Sequence, residues 1–365
     1  MNRITVTSLL TVLIFLASCK KNDDNPVTSN DNVPSSWSRL YGGNGYNEGD
    51  GVQPLSDGNY IVLGWTSSTP SGSADFWLLK LNNKGDTIWT RTFGGSDWDY
   101  GQYVRKTSDG GFILIGYTRS FGAGASDAWL IKTDAQGNQQ WAKTYGGPNQ
   151  EAAKYVQQTS DGGYILCGSF EPGNLGQGNN PWLIRTDGQG NKLWDKYYTY
   201  DASTRFSGTC VQQTTDGGFV ALSTCNGGVS SIVQKVWMIK TTASGDTSWT
   251  RLLPTTDSRY SATIKQLSDG SYILVADKLL RLDSSGNLLW TKDYAGSDVQ
   301  VTTDGGFIII GNLLMKTDSY GNLSWSKSVT GTRVEQANDG GYILVGRSSS
   351  DKIIVTKTDK DGNVQ

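Results

Sequence analysis

Seven times along this chain an Asp-Gly turn separates two short apolar segments of one form, at Asp57, Asp109, Asp161, Asp216, Asp269, Asp304 and Asp339. Such repetition means that one supersecondary unit has been copied, since each copy can bury its apolar face only against its neighbours. The second copy shows the unit whole. YVRKTSDGGFILIGYT (103–118) is followed by DAWLIKTDAQGNQQWAKTYGG (127–147), and each half reads as an antiparallel hairpin with alternating apolar positions. Four strands per unit is the content of one propeller blade. Seven units therefore predict an all-β, seven-bladed β-propeller of four-stranded antiparallel blades. The 46 Gly, 13 Trp and 17 Tyr suit many short strands joined by tight turns and argue against a helical bundle.

The ends of the chain explain how such a ring closes. A second turn recurs with Gly at 85, 137, 190, 245, 286, 321 and 362, and Trp stands four residues beyond the first six of these glycines. The seventh Trp would fall one position past the C-terminus. Its strand is offered at the other end, where Trp37–Gly43 has the form of Trp89–Gly95. A blade made from both ends leaves no open sheet edge, so the propeller is expected to span 37–365 with Trp37–Tyr41 completing the last blade. Each repeat Trp is expected to pack between neighbouring blades, contributing a few kcal/mol. A basic residue precedes each second-turn Gly by five positions, from Lys80 and Lys132 to Lys357. A four-residue turn would set it diagonally beside the Trp, within reach of a cation-π contact or a turn carboxylate.

Residues 1–18 read as a secretory signal, with Arg3, an apolar stretch and small residues before Cys19. The Leu16-Ala17-Ser18-Cys19 ending resembles the bacterial lipobox, which implies cleavage before Cys19 and acylation of that residue, for instance with palmitate. Residues 19–36 are then the lipidated cysteine and a polar, Pro-containing tether. The Lys20–Asp24 stretch resembles a lipoprotein surface-export signal of Bacteroidetes-type bacteria. The implied address is the outer membrane of the cell envelope, reached through the anchor alone, and possible display at the cell surface.

The segment LIKTDAQGNQQW resembles the repeats of quinoprotein-like (PQQ-like) propellers, with a turn one residue tighter than theirs, and is similar to the tighter sialidase Asp-box. The quinone enzymes of the first family use a calcium-coordinating carboxylate set and an adjacent-cysteine pair, which have no counterpart here. Sialidases need an arginine cluster and a Tyr nucleophile; the few arginines here are mostly repeat positions. In size and address the chain resembles the scaffold propeller lipoprotein of the barrel-assembly machinery, in architecture only.

The chain has no histidine, which removes the commonest general base and metal ligand together. A net charge of -2 offers no field for a phosphate backbone. No cofactor, metal site, catalytic residue or nucleic-acid partner is predicted. Cys167 sits at an apolar strand position and is expected to be a buried thiol. Cys210 and Cys225 lie across the Asp216 hairpin about two residues out of register, which leaves both a disulfide and two free thiols open.

Insertions after the second strand are long in repeats one to four, as in WTSSTPSGSAD (65–75), and shrink to Asp277-Lys278 and Gly311-Asn312 in repeats five and six. Repeat proteins vary on the face they use. Tyr46, Trp65, Trp98, Tyr100, Tyr117, Tyr198 and Tyr200 lie in or beside these loops and are the candidate binding residues, suited to stacking on sugars or anchoring a protein. The sequence thus predicts a monomeric, non-enzymatic binding or scaffolding propeller for a glycan or an envelope protein complex. The alternative is a glycosidase with paired carboxylates on the long-loop face.

Overall fold

The computed structural model describes residues 36–68, 73–170, 180–201, 204–225, 235–255 and 262–365. The signal segment, Cys19 and the tether through residue 35 lie outside the described residues. Over the described residues the chain forms seven four-stranded antiparallel sheets, each running in chain order from an inner strand outward, save the last. Consecutive inner strands touch, from Asn47–Pro54 through Asp99–Lys106, Glu151–Gln158 and Phe206–Gln213 to Arg333–Gln336, which returns to the first. This is the predicted seven-bladed propeller, arranged about a central channel.

Closure follows the sequence expectation. Trp37–Tyr41 forms the outer strand of the last blade, antiparallel to Ile353–Thr358, with Trp37 opposite Lys357. The Trp37 indole N–H donates to the Asn83 carbonyl at 2.9 Å and the Tyr41 hydroxyl to the Gly85 carbonyl at 2.6 Å, so this strand also grips the first blade.

The alternation read from the sequence survives in the outer strands, as in Thr87–Phe93, and in the first half of the long inner strands, as in Asn47–Pro54. Middle strands such as Asp127–Thr133 are buried along their whole length, because blades stack face to face and cover both sides. Each repeat Trp crosses to the next blade. The ring of Trp141 meets Tyr164 edge-on at 6.0 Å and lies against Gly190; Trp89 lies tilted to Phe112 at 6.4 Å and against Gly137. Gly137 has φ +78°, and a Cβ there would stand 2.6 Å from the Trp89 ring. Both backbone and packing therefore require glycine at this turn.

The basic residue of the third strand sits directly opposite the Trp, not diagonally: Lys80 pairs with Trp89 and Lys132 with Trp141. A register shift just after the cation absorbs one residue of the turn and brings the two into line. Of the two contacts expected, the salt bridge forms. Lys132 meets Asp109 at 2.8 Å, Lys357 meets Asp339 at 2.8 Å, and the other five blades repeat this pairing. The cation-π partners of the repeat Trp are instead Arg91 over Trp89 and Arg251 over Trp249, each two residues on along the outer strand. Cys167 and Cys210 are buried free thiols, and Cys225 is buried. Cys210 pairs with Leu222 and Cys225 with Phe206, a separation along the ladder that keeps the two sulfurs from bonding.

The asymmetry expected from loop lengths extends into the strands. Inner strands hold eight residues in blades one to four and four residues in blades five to seven. The longer ones each carry a β-bulge, which turns one extra side chain out of the ladder at Asp50, Gln102, Lys154 and Thr209.

Candidate functional site

Polar side chains of the inner strands converge in the channel. Arg105 of the second blade meets Glu335 of the seventh at 2.9 Å and donates to the Tyr155 hydroxyl of the third at 3.2 Å. Its guanidinium lies over the Tyr103 ring at 5.0 Å, with Arg333 on the same ring at 5.8 Å. Burial pushes the Glu335 carboxyl up, against the opposing fields of Arg105 and Lys265. This network ties non-adjacent blades together across the channel.

Nearer the long-loop end lies Asp50. Its Oδ2 is shut off from solvent and has no hydrogen-bond partner. Desolvation, reinforced by Glu48, pushes its pKa up to about 8 against the pull of Arg333 and Lys154. Asp50 is therefore expected to hold its proton at neutral pH. The native state binds this proton more tightly than the unfolded chain, so its stabilising effect is complete below about pH 4 and fades as pH rises toward 8. Asp50→Asn is expected to remove that part of the pH dependence, raising Tm at pH 8 relative to the parent and leaving pH 4 little changed. Parallel Tm curves from pH 4 to 8 for the two proteins would contradict the assignment.

Four of the candidate aromatics meet at this end of blades one and two. Trp65 packs edge-on against Tyr100 at 4.9 Å, and Tyr100 stacks with Trp98 at 5.7 Å and with Tyr117 at 5.0 Å. All four are half-buried. Desolvation pushes the Tyr117 hydroxyl up to about 12, and the fields of Tyr100, Asp50 and Glu48 add to that shift, so the cluster borders the acidic part of the channel. The remaining candidates do not join it. Tyr46 is exposed under the Arg347 guanidinium at 5.5 Å. Tyr200 is exposed and edge-on to Phe206 and Trp237 on the fourth blade.

Tyr198 is a correction. It is buried, and its hydroxyl donates to the Gly245 carbonyl at 2.8 Å. Tyr41 and Tyr145 make the same bond to Gly85 and Gly190. It stands four residues after Trp194 as Tyr145 stands after Trp141, so it is a repeat position that clamps the next blade's turn, not a loop residue.

Sequence reasoning overlooked Asp50, Lys154 and Arg333. The signal was present, since alternate inner-strand positions are polar in every repeat where a packed face would be apolar. Elsewhere, an open groove of about 480 Å³ runs between the outer parts of the first two blades, past Phe121 and Trp129, with Lys143 as its one charged lining residue.

No family model matches the chain. The regulatory protein FlaEY of Caulobacter vibrioides is 25% identical over 139 residues, covering 34% of this chain and 14% of that protein. Among solved structures, the α-L-arabinanase of Penicillium chrysogenum in complex with arabinobiose superposes with a TM-score of 0.58 at 12% identity, over 89% of this chain and 98% of that one. BamB of Moraxella catarrhalis gives a TM-score of 0.47 at 13% identity, over 84% and 96%. At these identities the likeness is one of fold. The class that the seven blades define is the β-propeller, a fold shared with the arabinanase.

Proposed function

We propose that the chain is an envelope lipoprotein, anchored to the outer membrane through acylated Cys19, whose propeller binds glycans at the long-loop mouth of its channel. The observation that carries this reading is the contiguous set of Trp65, Trp98, Tyr100 and Tyr117 beside Asp50. Packed around Tyr100, the half-buried rings of Trp65, Trp98 and Tyr117 offer surface to the C–H groups of a sugar at the mouth of the channel. A protein docking surface would instead bury about 800 Å² on each partner.

Two variants test the reading on the full-length protein in detergent. Trp98→Ala and Tyr100→Ala are expected to keep Tm near the parent value, yet to lose at least about tenfold in affinity for glycans retained on an array. Retention of a purified envelope protein but of no glycan would replace this reading with the scaffold one. Cys19→Ser is expected to abolish labelling by a palmitate analogue, and persistent labelling would contradict the anchor.

One observation favours a second reading. A carboxyl held protonated at neutral pH is what a glycosidase uses as its general acid, with Glu48 as the neighbouring carboxylate. Release of reducing ends from a bound glycan, lost in Asp50→Asn, would select the enzyme.

A further inference from the structure

The tight-turn face of the ring is uneven too, on the blades where the long-loop face is low. Two residues after each second-turn glycine, where the outer strand leaves this face, blades one to four carry Thr87, Gln139, Lys192 and Thr247. Blades five to seven carry Leu288, Leu323 and Val364. All three are exposed, Leu288 to 47% and Leu323 to 46%. Leu289 beside them is exposed as well. Tyr320, 73% exposed, stands in the second turn of blade six at a position where every other blade has Lys, Gln, Ser or Asp. Elsewhere on this rim the exposed Ile88 and Leu193 each follow a polar residue, Thr87 and Lys192.

Packing joins these residues into one arc. The Trp290 ring of blade five lies on Gly321 in the turn that holds Tyr320, and the Trp325 ring of blade six lies on Gly362, two residues before Val364. Lys292 donates to Asn322 at 3.0 Å and Lys327 to Asn363 at 2.8 Å, so an ammonium borders each of these blade junctions. The carboxylates of the turns are engaged locally. Asp283, Asp318 and Asp359 each accept from two backbone N–H groups of their own turn, and Asp361 meets Lys360 at 3.2 Å.

The chain enters the propeller at one end of this arc. Ser36, the residue before the closing strand, accepts at its Oγ from the Gln365 backbone N–H at 2.9 Å, next to Val364. Trp37 then bonds to Asn83 in the second turn of blade one, so the entry point lies on the tight-turn face. The chain from Cys19 to Ser36 spans at most about 60 Å even when fully extended. Acyl chains on Cys19 would therefore hold this rim beside a bilayer.

We infer that the arc of Leu288, Leu289, Tyr320, Leu323 and Val364 rests on the lipid surface, an inference that builds on the anchor proposed above. The aliphatic side chains enter the boundary between headgroups and acyl chains, as the apolar face of an interfacial helix does. Tyr320, Lys292 and Lys327 suit the headgroup level, where an amphipathic ring and ammonium groups on aliphatic stems keep their polar ends in water. The propeller then stands with its tight turns on the membrane. Its long-loop mouth points away, and a glycan reaches Trp98 and Tyr100 from the aqueous side.

Lactoperoxidase iodination of the full-length acylated protein, added to preformed phosphatidylethanolamine and phosphatidylglycerol vesicles, tests the inference because exposed tyrosines mark both faces. Tyr46 and Tyr200 stand in connections between blades on the long-loop side, and Tyr320 stands in a tight turn. Tyr46 and Tyr200 are expected to label fully while Tyr320 loses most of its labelling. The triple variant Leu288→Thr, Leu323→Gln, Val364→Thr gives blades five to seven the residues found in blades one, two and four. It is expected to keep its palmitate label and its Tm and to regain iodination of Tyr320. An acylated parent whose Tyr320 labels as fully as Tyr46, or a triple variant that still shields it, would overturn the inference and leave the anchor standing. Shielding that rises with the protein-to-lipid ratio marks a second copy on the arc and would overturn it as well. A protein that takes no palmitate label fails the anchor, and this inference with it.

Discussion

Removal of residues 37–41 is expected to cost the propeller its closed ring, lowering stability by on the order of 5 kcal/mol or more, a large part of what a typical domain possesses. The strand supplies the outer ladder of the last blade, pairing along its length with Ile353–Thr358. It also carries buried Trp37, which meets Tyr60 of the first blade edge-on at 6.0 Å, and the Tyr41 bond to Gly85. The deletion therefore bares a strand edge and unzips one blade interface together, and a bared edge invites pairing between molecules. Deleting residues 22–33 is the control and should leave the melt unchanged. Equal Tm values for the two deletions would mean that the ring does not depend on this strand.

Trp141→Ala is expected to destabilise by about 2–4 kcal/mol, at or below the usual cost of emptying a fully buried Trp site because the ring is only half-buried. What is lost is contact with the neighbouring blade, since the ring lies on Gly190 and against Tyr164. A chemical denaturation curve should show an earlier midpoint with nearly the same slope. A shift no larger than that of an ordinary surface substitution, about 0.5 kcal/mol, would contradict the packing role given to the repeat Trp.

The architecture was legible because it is written seven times. Turn glycines, the six Trp positions and the displaced seventh strand together specified blade number and closure, and the structure follows them. The register of the third strand was not legible, because a single-residue bulge after Lys80 or Lys132 leaves no mark in residue type. The polar residues at alternate inner-strand positions marked Asp50 and Lys154 as channel candidates, but not the bulges that turn them out of the ladder. Tyr198 was misplaced for a different reason. Its counterparts at the fourth position after Trp vary between Tyr, Phe, Leu and Val, so the shared clamp on the next turn appears only once the hydroxyl of Tyr145 is seen bonded to Gly190. Among the loop aromatics, the sequence could name the rings but not group them; the grouping depends on Tyr100 and Tyr117 lying opposite one another in the first ladder of the second blade.

Hydroxyl-radical footprinting of the full-length protein, with and without an oligosaccharide selected on the array, tests the central claim most directly. The account predicts that the sugar protects Trp65, Trp98, Tyr100 and Tyr117 while the oxidation of Trp141 and Trp194 stays the same. Protection confined to the tight-turn face, or spread over the repeat tryptophans with none at Trp98 and Tyr100, would contradict it.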